Sequence, residues 1–138
     1  MILIDTAPMI ALADKGQRTH RQCAALVREL SGTLITTWAC FTEALYFLHG
    51  LRGWHGQEAL WQYVKDQELF LHSPNEDEPL RAYQLMKQYQ DTPMDFADAS
   101  LVVLAEARGL RKIITADSDF FAYRVNGKDS FEVVKVNL

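Results

Sequence analysis

Met94-Asp95-Phe96-Ala97-Asp98-Ala99-Ser100-Leu101-Val102-Val103-Leu104-Ala105-Glu106-Ala107, followed shortly by Lys112-Ile113-Ile114-Thr115-Ala116-Asp117, joins a helical pattern to a short apolar run that ends in aspartate. Residues 94–107 are expected as a helix and 112–115 as a buried strand. The N-terminus carries the same strand pattern, because Ile2-Leu3-Ile4 runs straight into Asp5. Further strands are expected at 33–36, 69–71 and 131–134, and further helices at 7–13, 19–30, 38–48, 54–64 and 80–89. Within 19–30, Cys23, Leu26, Val27 and Leu30 keep the spacing of an amphipathic helix, which Gly32 ends. The stretch 38–48 is apolar almost all round, which predicts a largely buried helix closed by Gly50. The polar stretch 73–79 reads as a loop and helix start. Short apolar strands alternating with helices predict an α/β layer structure with a mostly parallel central sheet. In such sheets ligands bind beyond the carboxyl ends of the strands, so the residues closing each strand are the candidates for chemistry.

The composition agrees with a folded chain and narrows its class. The 138 residues are 49% hydrophobic and 23% charged, a length that fits a single domain spanning 1–138. A chain of this size needs no disulfide or structural metal to fold. No apolar run reaches the roughly 18–20 residues of a membrane span, and Asp5 interrupts the N-terminus too early for a signal peptide. A cytoplasmic protein with no membrane partner is expected. Cys23 and Cys40 sit in apolar segments without metal-ligand spacing and read as buried free thiols. With 14 Lys and Arg against 18 Asp and Glu, the net charge of −4 argues against a surface coated in positive charge for DNA binding. It leaves open a nuclease whose carboxylates gather around metal ions.

Four carboxylates from four separate segments stand out. Asp5 and Asp117 each follow an apolar strand, so parallel neighbours would project both at one edge of the sheet. The bland alternative for each is an N-cap of the following helix. Asp98 shares a helix with the apolar residues Leu101, Val102 and Ala105, and a carboxylate on such a stripe needs a compensating charge. Glu43 has Ala39, Cys40, Tyr46 and Phe47 as its helical neighbours, with no Lys or Arg in reach on its own helix. Asp95 shares the face of Asp98, but Thr92-Pro93-Met94-Asp95 also has the form of a helix start, with Thr92 as N-cap and the acid at the third position. Oxygen-only ligation favours a hard cation, Mg²⁺ or Mn²⁺, over zinc, and such ions commonly serve phosphoryl transfer.

These residues resemble the PIN-domain nucleases, and in particular the VapC-type toxins of toxin–antitoxin modules. Leu3-Ile4-Asp5-Thr6-Ala7 is similar to the family's opening strand and first acid, and Thr42-Glu43-Ala44-Leu45 to its helical glutamate motif. Met94 to Leu101 resembles its Asp-Ala helix, and Ile114-Thr115-Ala116-Asp117-Ser118-Asp119-Phe120 its closing acidic segment. The resemblance implies a three-layer α/β/α fold and a metal-dependent endoribonuclease. It implies catalytic and Mg²⁺- or Mn²⁺-holding roles for Asp5, Glu43, Asp98 and Asp117, with Asp119 a frequent extra member and Asp95 matching a subgroup. An RNA substrate, a small antitoxin partner and a homodimer through 54–64 or the first two helices would follow. A housekeeping RNA-processing protein and a PIN-like module without catalysis share the same motifs.

Other readings fit less well. A haloacid-dehalogenase-like phosphatase wants a second Asp two residues after Asp5, where this chain has Ala7. A receiver domain wants a phosphoacceptor Asp after a middle strand, where this chain has Thr36-Thr37-Trp38. Arg18, Arg21 and Arg124 are candidates to hold an RNA backbone. Trp38, Trp54, Trp61 and Tyr63 are expected mostly as packing residues, with base stacking or partner contact as the alternative. His20, His49, His55 and His72 show no metal-ligand spacing.

Overall fold

A computed structural model describes residues 1–137. Its elements run β1 (Ile2–Ile4), α1 (Thr6–Ala13), α2 (His20–Leu30), β2 (Leu34–Thr37), α3 (Trp38–Lys65), β3 (Leu69–His72), α4 (Glu78–Gln88), α5 (Phe96–Arg108) and β4 (Lys112–Thr115). A 3₁₀ turn (Ser118–Phe121), a small hairpin of β5 (Arg124–Val125) and β6 (Asp129–Ser130), and β7 (Glu132–Lys135) complete the chain. Five strands form one parallel sheet in the order β3-β2-β1-β4-β7. The expected α/β architecture with a parallel central sheet is therefore present.

The sheet order follows from which strands can be buried. β1 and β2 are buried at every residue, whereas the edge strands β3 and β7 are partly exposed. The crossovers from β1 to β2 to β3 run in one direction, and the return to β4 runs in the other. Right-handed crossovers then put α1, α2 and α3 on one face and α4 with α5 on the opposite face. The reversal falls between β1 and β4, which makes the carboxyl end of that strand pair the switch point of the sheet.

The expectations for two helices, α3 and α5, need correction. Gly50 does not close the third helix: the chain stays helical there and breaks at Gly53, whose φ of 59° and ψ of −145° suit glycine alone. The 38–52 and 54–65 arms fold back on each other. Residues 20 apart in a continuous helix would lie about 30 Å apart, yet the rings of Phe41 and Trp61 meet edge to face with centroids 4.8 Å apart. Gly56 permits the close approach, since a β-carbon there would lie 2.9 Å from the Leu48 carbonyl oxygen. Nor is the 38–48 arm largely buried. Phe41, Ala44 and Leu48 face the core, but Trp38, Tyr46 and Phe47 are exposed.

The second correction concerns the start of α5. Its N-cap is Asp95, not Thr92, and residues 91–93 form a turn. Asp95 Oδ1 accepts from the Asp98 amide at 2.8 Å while Asp98 Oδ2 accepts from the Asp95 amide at 3.4 Å, a reciprocal cap. Asp98 therefore stands in the first turn of the helix. The β5–β6 hairpin, absent from the expected strands, has its signal in Asn126-Gly127, both with positive φ. Cys23 and Cys40 are buried and free, as expected.

Candidate functional site

Register brings the strand-end acids together. Leu3 lies opposite Ile113 and Ile4 opposite Ile114, and the Asp5 amide extends the pairing by donating to the Ile114 carbonyl at 3.0 Å. Asp5 thus lies across from Thr115, whose hydroxyl donates to Asp5 Oδ2 at 2.7 Å. The same Thr115 oxygen accepts from the Asp117 amide at 2.9 Å, so one hydroxyl ties both aspartates to the sheet edge. Asp5 Oδ1 accepts from the Thr6 amide at 2.7 Å, and Asp117 Oδ1 accepts from the Asp119 amide at 2.9 Å. Both acids therefore cap the turn that follows them and also stand at the switch point; the two readings are compatible.

Two helices bring the other acids. Thr37 caps α3 by accepting from the Cys40 amide at 3.1 Å, and Glu43 follows a turn later. Asp98 is half-buried in the first turn of α5, where the Tyr123 hydroxyl donates to its Oδ2 at 3.3 Å. Beneath them lies Cys40, fully buried, its thiol donating to the Ala97 carbonyl at 3.7 Å. Burial and the charge of Asp5 push that thiol up to about 12, so it is no thiolate ligand.

The charges of these acids act on one another. Burial raises the Asp5 carboxyl above its ordinary value; hydrogen bonds from Thr115 and Thr6 pull it down, and the charges of Asp117 and Glu43 push it up. Asp98 is raised to about 7, first by burial and then by the charges of Asp95, Asp5 and Asp117. Asp119 is raised by burial and by Asp117. Among the described residues none of Asp5, Glu43, Asp98 and Asp117 has a salt bridge, while Asp14, Glu106 and Glu132 pair with Arg52, Arg81 and Lys112. With no Lys or Arg paired to it among the described residues, the cluster favours protons or an external cation. No three of its carboxylates are yet drawn into a ligand cage among the described residues. Its chemistry, oxygen donors only with a neutral thiol below, fits a hard divalent ion.

The remaining candidates divide. Asp95 is exposed and engaged as a cap. Arg124 Nη1 donates to the carbonyls of Phe121, Ala122 and Tyr123 at 2.9–3.1 Å and staples the 3₁₀ turn. Arg18 and Arg21 are exposed and make no ion pair with the cluster. Trp61 packs on Phe41 and Tyr63 is half-buried, but Trp38 and Trp54 are exposed, against the expectation that most of these rings pack inside. Thr115, quoted within the closing segment without a role, and Tyr123, outside every motif, are the polar partners of the cluster. Thr115 could have been found as the last strand residue opposite Asp5. Nothing in the sequence pattern singles out Tyr123.

The PIN domain family model matches residues 2–126. The chain belongs to the PIN-domain family. Its PIN fold is shared with solved structures of low sequence identity. VapC20 of Mycobacterium tuberculosis, described as a sarcin–ricin loop cleaving toxin, superposes with a TM-score of 0.80 at 19% identity, covering 88% of this chain and 94% of that one. A toxin–antitoxin complex from Klebsiella pneumoniae gives 0.67 at 18% identity, covering 88% and 91%. VapBC2 of Rickettsia felis, bound to promoter DNA, gives 0.66 at 14% identity, covering 96% and 98%. No curated protein matches the chain by sequence.

Proposed function

We propose that this PIN-domain protein is a divalent-metal-dependent endoribonuclease and the toxin of a toxin–antitoxin pair, acting in the cytoplasm. The observation that carries the reading is the cluster of Asp5, Glu43, Asp98 and Asp117, drawn from four segments to one sheet edge with no salt-bridge partner among the described residues. Family membership supports nuclease chemistry, and the likeness to VapC structures supports the toxin role.

In this reading Asp5, Glu43, Asp98 and Asp117 hold Mg²⁺ or Mn²⁺, with Asp119 an additional acid and Asp95 a structural cap. The ion supplies a lowered pKa for water and positive charge for the pentacoordinate phosphate. The chain's own part is placement. Thr6 and Thr115 fix both oxygens of Asp5, so that carboxylate costs little to order when RNA arrives. Asp119, half-buried beside Asp117, orients the attacking water and accepts its proton. Water attacks phosphorus in line as its proton passes to Asp119, the bond to the 3′-oxygen breaks, that oxygen takes a proton from solvent, and the products carry a 5′-phosphate and a 3′-hydroxyl. No covalent enzyme intermediate is needed.

The partners proposed are a small antitoxin that covers the site or its groove, and a second copy of this chain. The exposed Tyr46, Phe47, Leu51 and Trp54 around the bend of α3 supply an apolar surface for the latter. The decisive experiment is cleavage of single-stranded RNA with Mg²⁺ or Mn²⁺ by the wild type and by Asp5→Asn, with Mn²⁺ binding followed by calorimetry. Loss of both cleavage and Mn²⁺ binding in the variant is expected. Equal activity in the two proteins would remove the metal site from the reading.

A further inference from the structure

Beside the carboxylate cluster, beyond the carboxyl ends of β2 and β3, lies a cavity of about 140 Å³. Its walls include Ala39, Pro79, Ala82 and Val103, and Trp38 and Phe96 stand with it, 47% and 56% exposed. Along that edge of the sheet β2 pairs with β1, so the cavity over β2 and β3 neighbours the cluster over β1 and β4. Cys40, whose thiol feels the charge of Asp5, donates to the Ala97 carbonyl, and the adjoining hydrogen bond, Thr37 Oγ1 to Ser100 Oγ at 2.7 Å, lines the cavity. Helical spacing sets Phe96 and Ser100 on the cavity face of α5 and Asp98 on another face, so the start of α5 stands between cavity and cluster, and Trp38 follows the cap of the helix that carries Glu43.

The polar groups of the lining already have partners. His72 Nε2 lies 2.9 Å from Glu78 Oε1, and the other ring nitrogen accepts from Arg108 Nε at 3.1 Å. Ser100 Oγ donates to the Ala97 carbonyl at 2.7 Å. Such a lining offers no unpaired charge to a ligand and selects by shape and by aromatic contact. A flat, uncharged ring suits it. A nucleobase is that ring, and it hangs one sugar away from a phosphate seated at the neighbouring carboxylates. Arg108, held against His72, adds a cation beside the cavity.

We propose that this cavity takes an unpaired base of the RNA substrate, next to the phosphate that is cut, with Trp38 and Phe96 as its stacking surfaces. The proposal rests on the ribonuclease reading above and deepens it. A base can enter only when it is out of its duplex and splayed from its stack, so the cavity restricts cleavage to single-stranded or looped segments. It holds the base by its faces rather than its edges, and the identity of that base matters less than its being unpaired.

The test uses the full-length Asp119→Asn protein, which keeps Asp5, Glu43, Asp98 and Asp117, with Mn²⁺ and two labelled ligands of equal length, single-stranded oligoadenylate and an abasic ribose-phosphate oligomer, followed by anisotropy. Oligoadenylate should bind about tenfold more tightly, the effect of one base–aromatic stack. Phe96→Ala, at an exposed position, and Ala39→Trp, which fills the cavity, should each bring oligoadenylate down to the abasic level and leave abasic binding and its salt dependence unchanged. Equal binding of the two ligands by the parent, or unaltered oligoadenylate binding by both variants, overturns the proposal. So does an unaltered RNA titration accompanied by loss of a protein partner, which would make the cavity a protein-docking site. Cleavage by the wild-type protein is scored separately. If it cuts RNA while the cavity variants bind as the parent does, the nuclease reading stands and the cavity proposal alone falls; if it neither binds nor cuts RNA, both fall.

Discussion

Asp98 carries the most consequential single charge in the chain. It is raised to about 7 because burial and the charges of Asp95, Asp5 and Asp117 all disfavour its ionised form. The folded protein therefore holds this proton more tightly than the unfolded chain, whose value is the ordinary 3.8. The stabilisation is fully present below 3.8 and is lost as pH rises to about 7. Asp5 is shifted in the same direction and adds to the fall. Asp14 and Glu106 are lowered instead; their stabilisation is present above the unfolded values of 3.8 and 4.5 and is lost as pH falls, so they act in a more acidic window. Thermal melts of metal-free protein should accordingly show the melting temperature dropping between pH 4 and 7, and Asp98→Asn should flatten that drop. On the proposed metal reading, Mn²⁺ should restore stability most at the upper end, where protons no longer compete for the oxygens. A metal-free protein whose stability rises across this window would contradict the charge cluster.

Two elements show how the site is held and how much of it the sequence discloses. The start of α5 is a reciprocal cap between Asp95 and Asp98, so an acid that looks like a ligand by spacing alone has a local task. Asp95→Ala should cost about 1 kcal/mol by removing the cap. Asp95→Asn keeps the cap, removes a charge facing Asp98, and should leave stability equal or higher with Mn²⁺ binding retained. Calorimetry and denaturant titration of the pair separate a cap from a ligand, since Mn²⁺ binding lost in Asp95→Asn would make it a ligand. The bend of α3 is the other case. Composition locates both arms correctly, but Gly50 and Gly53 are alike to a propensity argument; only the backbone shows that Gly53 holds the positive φ and Gly50 is helical. Gly53→Ala should destabilise the fold by roughly 1–3 kcal/mol through strain at that torsion, whereas Gly50→Ala should be neutral or stabilising by helix propensity. Equal melting temperatures for the two variants would show that the hairpin tolerates another bend.

At the scale of the molecule, the net charge of −4 is a matter of placement. Setting aside Asp5, Glu43, Asp98 and Asp117 leaves 14 acids against the 14 Lys and Arg, so the surplus lies at one edge of the sheet. That concentration was legible, because strand-end aspartates announce themselves by following apolar runs, and a parallel sheet puts them on one side. What lay beyond the sequence was tertiary: Thr115 reaching Asp5 across the pairing of β1 with β4, Tyr123 reaching Asp98 from beyond the 3₁₀ turn, and the outward face of α3. The last of these bears on assembly. A helix apolar all round reads as buried, and this one buries only the side that meets the core, leaving Tyr46, Phe47, Leu51 and Trp54 exposed near its bend. Exposed aromatic and aliphatic groups gathered on one feature mark an interface rather than a solvated face. The proposed self-association therefore has a direct test in sedimentation velocity. Wild-type protein should sediment as a dimer at micromolar concentration, and Leu51→Glu with Trp54→Glu should shift it to a monomer with its melting cooperativity intact. Both positions point to solvent in the isolated chain, so the fold has no stake in them; a double variant that remains dimeric would move the interface to α1 and α2.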